Sequence, residues 1–261
     1  MPESLVVVEH TGPVAVVTLN RPDLLNAIDI PMILALEREL LQLETDEETR
    51  VIVVTGAGDR AFMAGGDISD LNSRGGLRHY LDFADVVHRV FRRFELSGKP
   101  NIAAINGYAL GGGLEMILAM DIRLIAQTAR LGLTEINLGL FPGGGGTQRL
   151  PRQISDCVAA EMMFTGRHIN ADEAVKFGIA NRVVPQADVL PEAIALGERI
   201  ASKSPLVLKL LKRTIQDGKD MSLTAGLAYE RSMISLVLDS VDAHEGCAAF
   251  LEKRNPSFEG R

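Results

Sequence analysis

Glu115 is the residue of this 261-residue chain whose setting most strongly suggests chemistry, because it follows three consecutive glycines, Gly111–Gly113, in an apolar segment. Glycine lets the backbone approach a ligand closely, and the start of a helix offers unpaired N–H groups to negative charge. A carboxylate among apolar side chains is costly to bury without a partner. We therefore interpret residues 104–121 as a buried strand, a glycine turn and a helix that carries a functional carboxylate.

A second passage of the chain has the same form. The apolar run at 51–55 leads to a glycine turn at 64–67, as 101–105 leads to 111–113. If the backbone N–H groups of the two turns converge on one point, they would form an oxyanion hole for a thioester oxygen that gains charge as its neighbouring carbon becomes an enolate. Glycine turns are more often simply turns, so that alternative stays open on composition alone.

The spacing of apolar residues along the rest of the chain predicts the strands and helices that position these two passages. Apolar residues at strand or helix spacing indicate an α/β core over residues 1–195, which contains the site, followed by a helical region over 196–261 without a separating linker. The proline and glycines at 142–146 suggest a tight turn into a helix. The predicted strands span 5–9, 14–19, 50–55, 101–105, 122–126 and 182–184. The predicted helices span 31–43, 80–94, 155–164, 171–176, 190–201, 206–215, 223–238 and 241–253.

Composition excludes several classes of function. The formal net charge of −7 disfavours nucleic-acid binding, which needs a basic surface. Two cysteines, Cys157 and Cys247, and five scattered histidines show no metal-ligand spacing, so we expect neither a metal site nor a disulfide framework. No apolar stretch approaches the ~20 residues that span a bilayer, and no signal-type segment opens the chain, so we expect no membrane partner and a cytoplasmic location.

Several motifs occur in a fixed order along the chain: Leu19-Asn20-Arg21-Pro22 with Asn26-Ala27, Ala64-Gly65-Gly66-Asp67-Ile68, Asn106 to Glu115, Pro142 to Leu150 and Phe250 to Arg254. Together they resemble the enoyl-CoA hydratase/isomerase (crotonase) family over nearly the whole chain, most like a monofunctional enoyl-CoA hydratase.

The resemblance implies roles for four residues. The N–H groups of Gly66 and Gly112 would form the oxyanion hole for an acyl-CoA thioester, and Glu115 and Glu135 match the family's two carboxylates. Hydration of a 2-enoyl thioester requires a positioned water, a base and a proton donor to the α-carbon, which one carboxylate cannot easily supply. We expect Glu135 to donate the proton and Glu115 to activate water, although the sequence does not separate the roles. Without the resemblance, Glu135 would be read as an ion-pair partner of a nearby arginine such as Arg130.

The resemblance also implies a fold, a substrate and partners. The fold would be the α/β crotonase (ClpP-like) superhelix of repeated ββα units, with C-terminal helices that assemble a homotrimer or a dimer of trimers. Coenzyme A would enter as part of the substrate, with no other cofactor. Candidate coenzyme A contacts are Ala64, Gly65, Gly66, Asp67, Ile68, Arg21 and Lys253. A helix cap at Asp67 and a solvated surface charge at Arg21 or Lys253 stay open as alternatives.

Other readings compete with hydration of a simple enoyl group. Arg74, Arg78 and His79 precede the helix expected to line the acyl pocket, and they would accept a substrate carboxylate if they faced it; a solvated charged face is the better interpretation. The alternatives are therefore an enoyl-CoA isomerase, a hydratase of a branched or carboxylated enoyl-CoA, and a non-catalytic acyl-CoA-binding or RNA-binding adaptor. The intact pair of glutamates argues against the acyl-CoA adaptor, and the net negative charge argues against RNA.

Overall fold

The computed structural model of the protein describes residues 4–261, and its strands form two sheets. The strands are β1 (Val6–Thr11), β2 (Val14–Leu19), β3 (Val51–Gly56), β4 (Ala61–Met63), β5 (Asn101–Ile105), β6 (Tyr108–Leu110), β7 (Ile122–Ala126), β8 (Arg130–Gly132), β9 (Ile169–Asn170) and β10 (Arg182–Val184). The larger sheet has the order β1-β2-β3-β5-β7-β10 and the smaller one the order β4-β6-β8-β9. The β1–β2 and β8–β9 pairs are antiparallel, and the other pairs are parallel.

Helices follow the strands at regular intervals. The α-helices are α1 (Ile30–Thr45), α2 (Ile68–Ser73), α3 (Gly76–His79), α4 (Asp85–Leu96), α5 (Gly112–Leu118), α6 (Gly146–Arg149), α7 (Asp156–Thr165), α8 (Ala171–Lys176), α9 (Val189–Ala201), α10 (Pro205–Gly218), α11 (Leu223–Leu238) and α12 (Val241–Glu252). Short 3₁₀ segments span Pro22–Leu24, Glu135–Leu138 and Gln186–Asp188, and a π-helical segment spans Tyr80–Ala84 directly before α4.

One unit repeats three times along the core. A strand of the larger sheet (β3, β5 or β7) is followed by a strand of the smaller sheet (β4, β6 or β8) and then by a helical segment. Each successive unit adds one parallel strand to each of the two sheets. Successive turns of the chain therefore stack along one axis. This is the predicted α/β superhelix of ββα units.

The core explains why the longer strands were predictable from the sequence. Every residue of β3 and β5 is buried, as expected for parallel strands covered on both faces. The short strands β4, β6, β8 and β9 were not predicted, because two or three residues rarely show a period of two, although the equally short β10 was predicted at 182–184. The helix predicted for 80–94 instead divides into the π-helical segment and α4.

The C-terminal helices attach to the core through a buried cation. The Nζ atom of Lys212 on α10 lies 2.7 Å from Oδ2 of Asp121, and it donates to the carbonyls of Phe94 (2.7 Å) and Lys99 (3.0 Å). Residue 195, where we expected two parts of the chain to meet, lies within α9, a helix whose buried residues belong to the main core. The division at 195/196 stays a prediction.

Within residues 4–261, none of the helices combines the length and apolar character that a bilayer-spanning segment requires. Over the same residues, no three histidine, cysteine, aspartate or glutamate side chains come together in an arrangement that would hold a metal ion.

Replacing Asp121 with Asn should destabilise the fold, because it leaves the Lys212 ammonium buried without its counter-ion. Lys212 is only 7% exposed and Asp121 is 19% exposed, so we expect the free energy of unfolding to fall by about 3 kcal/mol, the lower end of the range for a buried pair that loses one partner. Urea denaturation measures this change. The double variant Lys212→Met/Asp121→Asn should lose less, since no buried charge is left unpaired, and equal losses in both variants would contradict the assignment.

Candidate active site

The four residues that the sequence singled out for chemistry line a single cavity of about 350 Å³. Gly66, Gly112, Glu115 and Glu135 all contribute to its wall. They come from different repeats of the fold, since Gly66 follows β4, Gly112 and Glu115 follow β6, and Glu135 follows β8. Because β4, β6 and β8 are adjacent parallel strands, the segments that follow them emerge at the same edge of the smaller sheet.

The two glycine turns lie against each other. Gly65 and Gly111 have positive φ angles of 98° and 50°, which glycine adopts without strain, and each directly precedes an amide of interest. A Cβ atom built on Gly112 would lie 3.9 Å from the Gly66 nitrogen. Within the described part of the chain, neither the Gly66 nor the Gly112 N–H has a protein acceptor. Two backbone donors at the cavity wall are therefore free to bind a ligand oxygen.

A short backbone pairing with Ile28 holds the first turn in place. The Ile28 N–H donates to the Gly65 carbonyl at 2.8 Å, and the Ile28 carbonyl accepts from the Asp67 N–H at 2.8 Å. The second turn starts α5, with Gly112 as its first residue, so the Gly112 amide lies at the positive end of a helix.

Glu115 is held by a turn that is distant in sequence. Its side chain is buried, with 3% of the residue exposed, and Oε1 accepts hydrogen bonds from the N–H groups of Gly144 and Gly146, both at 2.8 Å. A Cβ atom on Gly144 would lie only 2.4 Å from Glu115 Oε2, so the turn can approach the carboxylate because glycine has no side chain. The sequence predicted the turn but not its contact with Glu115.

Opposing effects act on the proton affinity of Glu115. Burial raises the pKa of this carboxyl above its ordinary value, while the N–H groups of Gly146 and Gly144 and the charges of His88 and Arg149 oppose that rise. The backbone donors occupy Oε1, so Oε2 is the oxygen left to a substrate or a water.

Glu135 begins the 3₁₀ segment after β8 and lies above the second glycine turn. A Cβ atom on Gly111 would come within 3.1 Å of Glu135 Oε1. Burial, followed by the negative charge of Glu115, raises the pKa of Glu135 to about 7. Its Oε2 atom is buried without a hydrogen-bond partner in the described residues. Arg130, the alternative partner, donates to the Ala129 carbonyl instead, at 2.8 Å.

The rest of the cavity is apolar, and the sequence did not identify most of it. Its large apolar side chains come from four segments of the chain and are Ile28, Leu71, Phe83, Val87, Phe91, Leu140 and Phe141. The amphipathic pattern of α4 predicted a buried face but not that this face would line a cavity. His79, which we expected on a solvated charged face, also lines it and stacks on Phe83 with ring centroids 5.3 Å apart.

The residues predicted to contact coenzyme A have local partners in the structure. Ala64, Gly65 and Gly66 form the first glycine turn, Asp67 caps α2 through the Ser69 N–H (2.9 Å), and Ile68 begins α2. The Arg21 guanidinium pairs with Asp67 and Asp29, both at 3.1 Å. Lys253 is exposed at the end of α12 and does not line the cavity.

The two arginines considered as carboxylate receptors are also engaged elsewhere. Arg74 pairs with Asp70 (2.7 Å) and Arg78 with Asp82 (3.2 Å), one helical turn apart in each case. Neither arginine lines the cavity. The expected solvated charged face holds for Arg78, which is 86% exposed, whereas Arg74 is 21% exposed in its ion pair and His79 lines the cavity, so the expectation is wrong for His79.

Gly144→Ala should disturb the site, because the new methyl group would overlap the Glu115 carboxylate. We expect a loss of about 1–3 kcal/mol in the free energy of unfolding, as for other overpacked sites. Gly143→Ala is the matched control, since the atom nearest to its Cβ would be the Phe141 carbonyl oxygen at 3.8 Å. Chemical denaturation should separate the two variants, and equal stability would contradict the close approach at Gly144.

Comparison with known proteins identifies the family of the chain. The sequence model described as enoyl-CoA hydratase/isomerase matches residues 9–261. The chain is 38% identical to the short-chain-enoyl-CoA hydratase of Clostridium acetobutylicum, covering 95% of each chain, and 36% identical to the crotonyl-CoA hydratase of Syntrophomonas wolfei, covering 97% of each. The crystal structure of enoyl-CoA hydratase from Bacillus anthracis superimposes with a TM-score of 0.95 at 38% identity, covering 98% of this chain and 100% of that one. The chain therefore belongs to the enoyl-CoA hydratase/isomerase family.

Proposed function

We propose that this chain catalyses the addition of water to a 2-enoyl-CoA thioester, giving a 3-hydroxyacyl-CoA. One observation carries the proposal: two backbone N–H groups without protein acceptors and two glutamates line the same cavity. Relatives that match over nearly their full length are named short-chain-enoyl-CoA and crotonyl-CoA hydratases, which supports the same reaction. The reaction consumes only water and the thioester, and coenzyme A is part of the substrate.

The N–H groups of Gly66 and Gly112 would bind the thioester oxygen. When water adds to the β-carbon, electrons move through the double bond toward the carbonyl, and this oxygen gains negative charge. Preorganised donors that face the developing charge stabilise the transition state more than the ground state. The position of Gly112 at the start of α5 adds the favourable end of the helix dipole.

The two glutamates would divide the transfer of protons. Glu115, with Oε1 fixed by two N–H groups, takes a proton from water through Oε2 while the water oxygen bonds to the β-carbon. Glu135, whose pKa of about 7 keeps much of it protonated at neutral pH, gives its proton to the α-carbon. The proton on Glu115 then returns to Glu135 before the next cycle, so the net reaction adds one water.

The apolar lining favours an uncharged acyl group. Within the described lining, His79 is the only polar side chain besides Glu115 and Glu135, and Arg74 and Arg78 are paired outside the cavity. A distal carboxylate would lose hydration on entering this space, and within the described lining only the imidazole of His79 could partner it, so its burial is costly. We therefore assign an apolar enoyl substrate ahead of a carboxylated one.

The rest of the substrate would extend along the first glycine turn. Gly66 of this turn lines the cavity, Ala64 and Gly65 precede it, and Asp67 and Ile68 continue the turn into α2. Arg21 supports the turn through Asp67. Arg21 and Lys253 remain candidate partners of the coenzyme A phosphates, because their positive charges would attract these anionic groups.

The C-terminal helices would mediate assembly into a homotrimer or a dimer of trimers. Helix α11 has no buried residue within the described chain, although it is rich in large apolar side chains. Those exposed by half or more on α10 to α12 include Leu211, Ile215, Leu223, Leu227, Leu236, Leu238, Phe250 and Leu251. Apolar surface of this extent is typical of an interface between chains.

A panel of acyl-CoA thioesters in ¹⁸O-labelled water tests the reaction. We expect crotonyl-CoA and other uncharged 2-enoyl-CoAs to gain the mass of H₂¹⁸O, with the label in the hydroxyl group on the β-carbon, and glutaconyl-CoA to react more slowly. Mass spectrometry of the products gives the result. Double-bond migration without uptake of labelled oxygen would identify an isomerase and reject the hydratase, whereas binding without turnover over the whole panel would indicate a non-catalytic protein.

Removing either carboxylate should lower kcat. Glu115→Ala and Glu135→Ala should each lower kcat by about 10²- to 10⁴-fold, the range for loss of a general acid or base.

The pH dependence of kcat tests the role of Glu135. Because Glu135 must be protonated to act as the acid, kcat of the unmodified enzyme should fall as the pH rises above about 7. Steady-state kinetics measures both effects. The measurements run from about pH 5.5 to about pH 9, so that they extend about two pH units above the pKa of Glu135. Full activity in either variant, or a constant kcat across this range, would reject the assignment.

A further inference from the structure

Glu95 and Arg149 form an ion pair behind the turn that holds Glu115. Arg149 Nε lies 2.8 Å from Glu95 Oε1, and Nη2 lies 3.1 Å from Oε2, which is the two-pronged geometry of a strong arginine–carboxylate contact. The side chains are only 13% and 11% exposed, so solvent screens the pair less than an ordinary surface pair. Arg92 also binds Glu95 Oε2, at 2.8 Å. Glu95 is thus fixed by two cations, and it in turn orients Arg149.

The third nitrogen of Arg149 reaches the turn itself. Nη1 donates to the Gly144 carbonyl at 3.1 Å. That carbonyl belongs to the peptide group between Gly144 and Gly145. The peptide groups on either side supply the Gly144 and Gly146 N–H groups that bind Glu115. Three successive peptide groups are therefore fixed by contacts to Glu115 and to Arg149.

The close fit at Gly145 shows that Arg149 and the turn are built together. Gly145 has a φ of 113°, and a Cβ atom on it would lie 2.0 Å from Arg149 Nη1. The guanidinium therefore occupies the space where any other residue would carry its side chain. Arg149 is also the last residue of α6, the helix that starts from this turn, and its own N–H donates to the Gly145 carbonyl at 2.8 Å.

We propose that Arg149, oriented by Glu95, is a positioning residue that fixes the 144–146 turn and thereby aims Oε2 of Glu115 at the reacting water. The inference rests on the proposed hydration. Arg149 does not line the cavity, so it acts through the turn and not on the substrate. Without this contact the central peptide group would be free to move, and the flanking groups that carry the two N–H donors would move away from Glu115. A shift of a catalytic group by about 1 Å can cost about 10²-fold in rate.

The variant Arg149→Lys tests this role, because an ammonium group keeps the charge but cannot make the forked pair and the carbonyl contact together. Its matched control is Arg93→Lys. Arg93 lies on the same helix as Glu95 and pairs with Glu44 at 3.0 Å, but it makes no contact with residues 144–146. Glu95→Gln and the double variant Glu95→Gln/Arg149→Lys complete the set. Thermal denaturation verifies that each variant is folded.

Two readouts are measured on the full chain. In Arg149→Lys we expect kcat for crotonyl-CoA to fall about 10- to 100-fold while KM stays within about twofold, because the turn is displaced and the substrate contacts are not. Amide hydrogen exchange at Gly144 and Gly146 should be faster in this variant, and this readout does not depend on catalytic activity.

The other variants show whether the two residues act together. Glu95→Gln should show smaller changes of the same kind, and the double variant should be no worse than Arg149→Lys, since the two residues act as one unit. Arg93→Lys should leave kcat and both amides unchanged.

The outcomes separate this inference from the proposed function. Unchanged exchange at Gly144 and Gly146 in folded Arg149→Lys overturns the positioning role, whatever happens to the rate. Faster exchange with an unchanged kcat overturns it as well. If the unmodified protein hydrates no thioester of the panel, the proposed function fails. In that case, faster exchange in Arg149→Lys but not in Arg93→Lys still supports the control of the turn by the Glu95–Arg149 pair.

Discussion

The burial of the Glu115 carboxylate is the constraint on which the site depends. A carboxylate removed from water is tolerated when other polar groups replace its hydration, and here two backbone N–H groups of the 144–146 turn do so at 2.8 Å each. Backbone donors suit this purpose because they are small and fixed. The glycines of the turn follow from the same constraint, since a Cβ on Gly144 would overlap the carboxylate that the turn supports.

The superhelix brings these groups together by simple repetition. Each ββα unit places one short strand in the smaller sheet, and the segments after β4, β6 and β8 carry Gly66, then Gly112 and Glu115, then Glu135. Because the strands are parallel and adjacent, groups that lie 20 residues apart (115 to 135) and 49 residues apart (66 to 115) reach the same edge. The architecture thus creates the site without a dedicated linker or a second domain.

The two glutamates differ in environment, and this difference underlies their proposed roles. Glu115 has backbone donors on one oxygen, whereas Glu135 has a buried oxygen without a partner in the described chain and a pKa raised to about 7 by burial and by Glu115. The Glu115 carboxyl is therefore held by hydrogen bonds, whereas the Glu135 carboxyl is left poorly solvated. Such an arrangement costs folding stability and keeps an acid protonated near neutral pH, as expected where a site is organised for function.

The sequence by itself determined the family, the long buried strands β2, β3 and β5, most helices and the residue types at the site. These features are local: apolar runs, helical periodicity, glycine turns and a carboxylate in an apolar segment are visible within a few consecutive residues. Only the tertiary structure decided that the two glycine turns touch, that the 144–146 turn binds Glu115 and that Arg149 and Glu95 lie behind it. It also decided that Arg21, Arg74 and Arg78 pair with nearby aspartates and that α4 lines the cavity. These contacts join residues that are distant in sequence or select among several possible partners, so they depend on the order of strands and the packing of side chains, which no local pattern specifies.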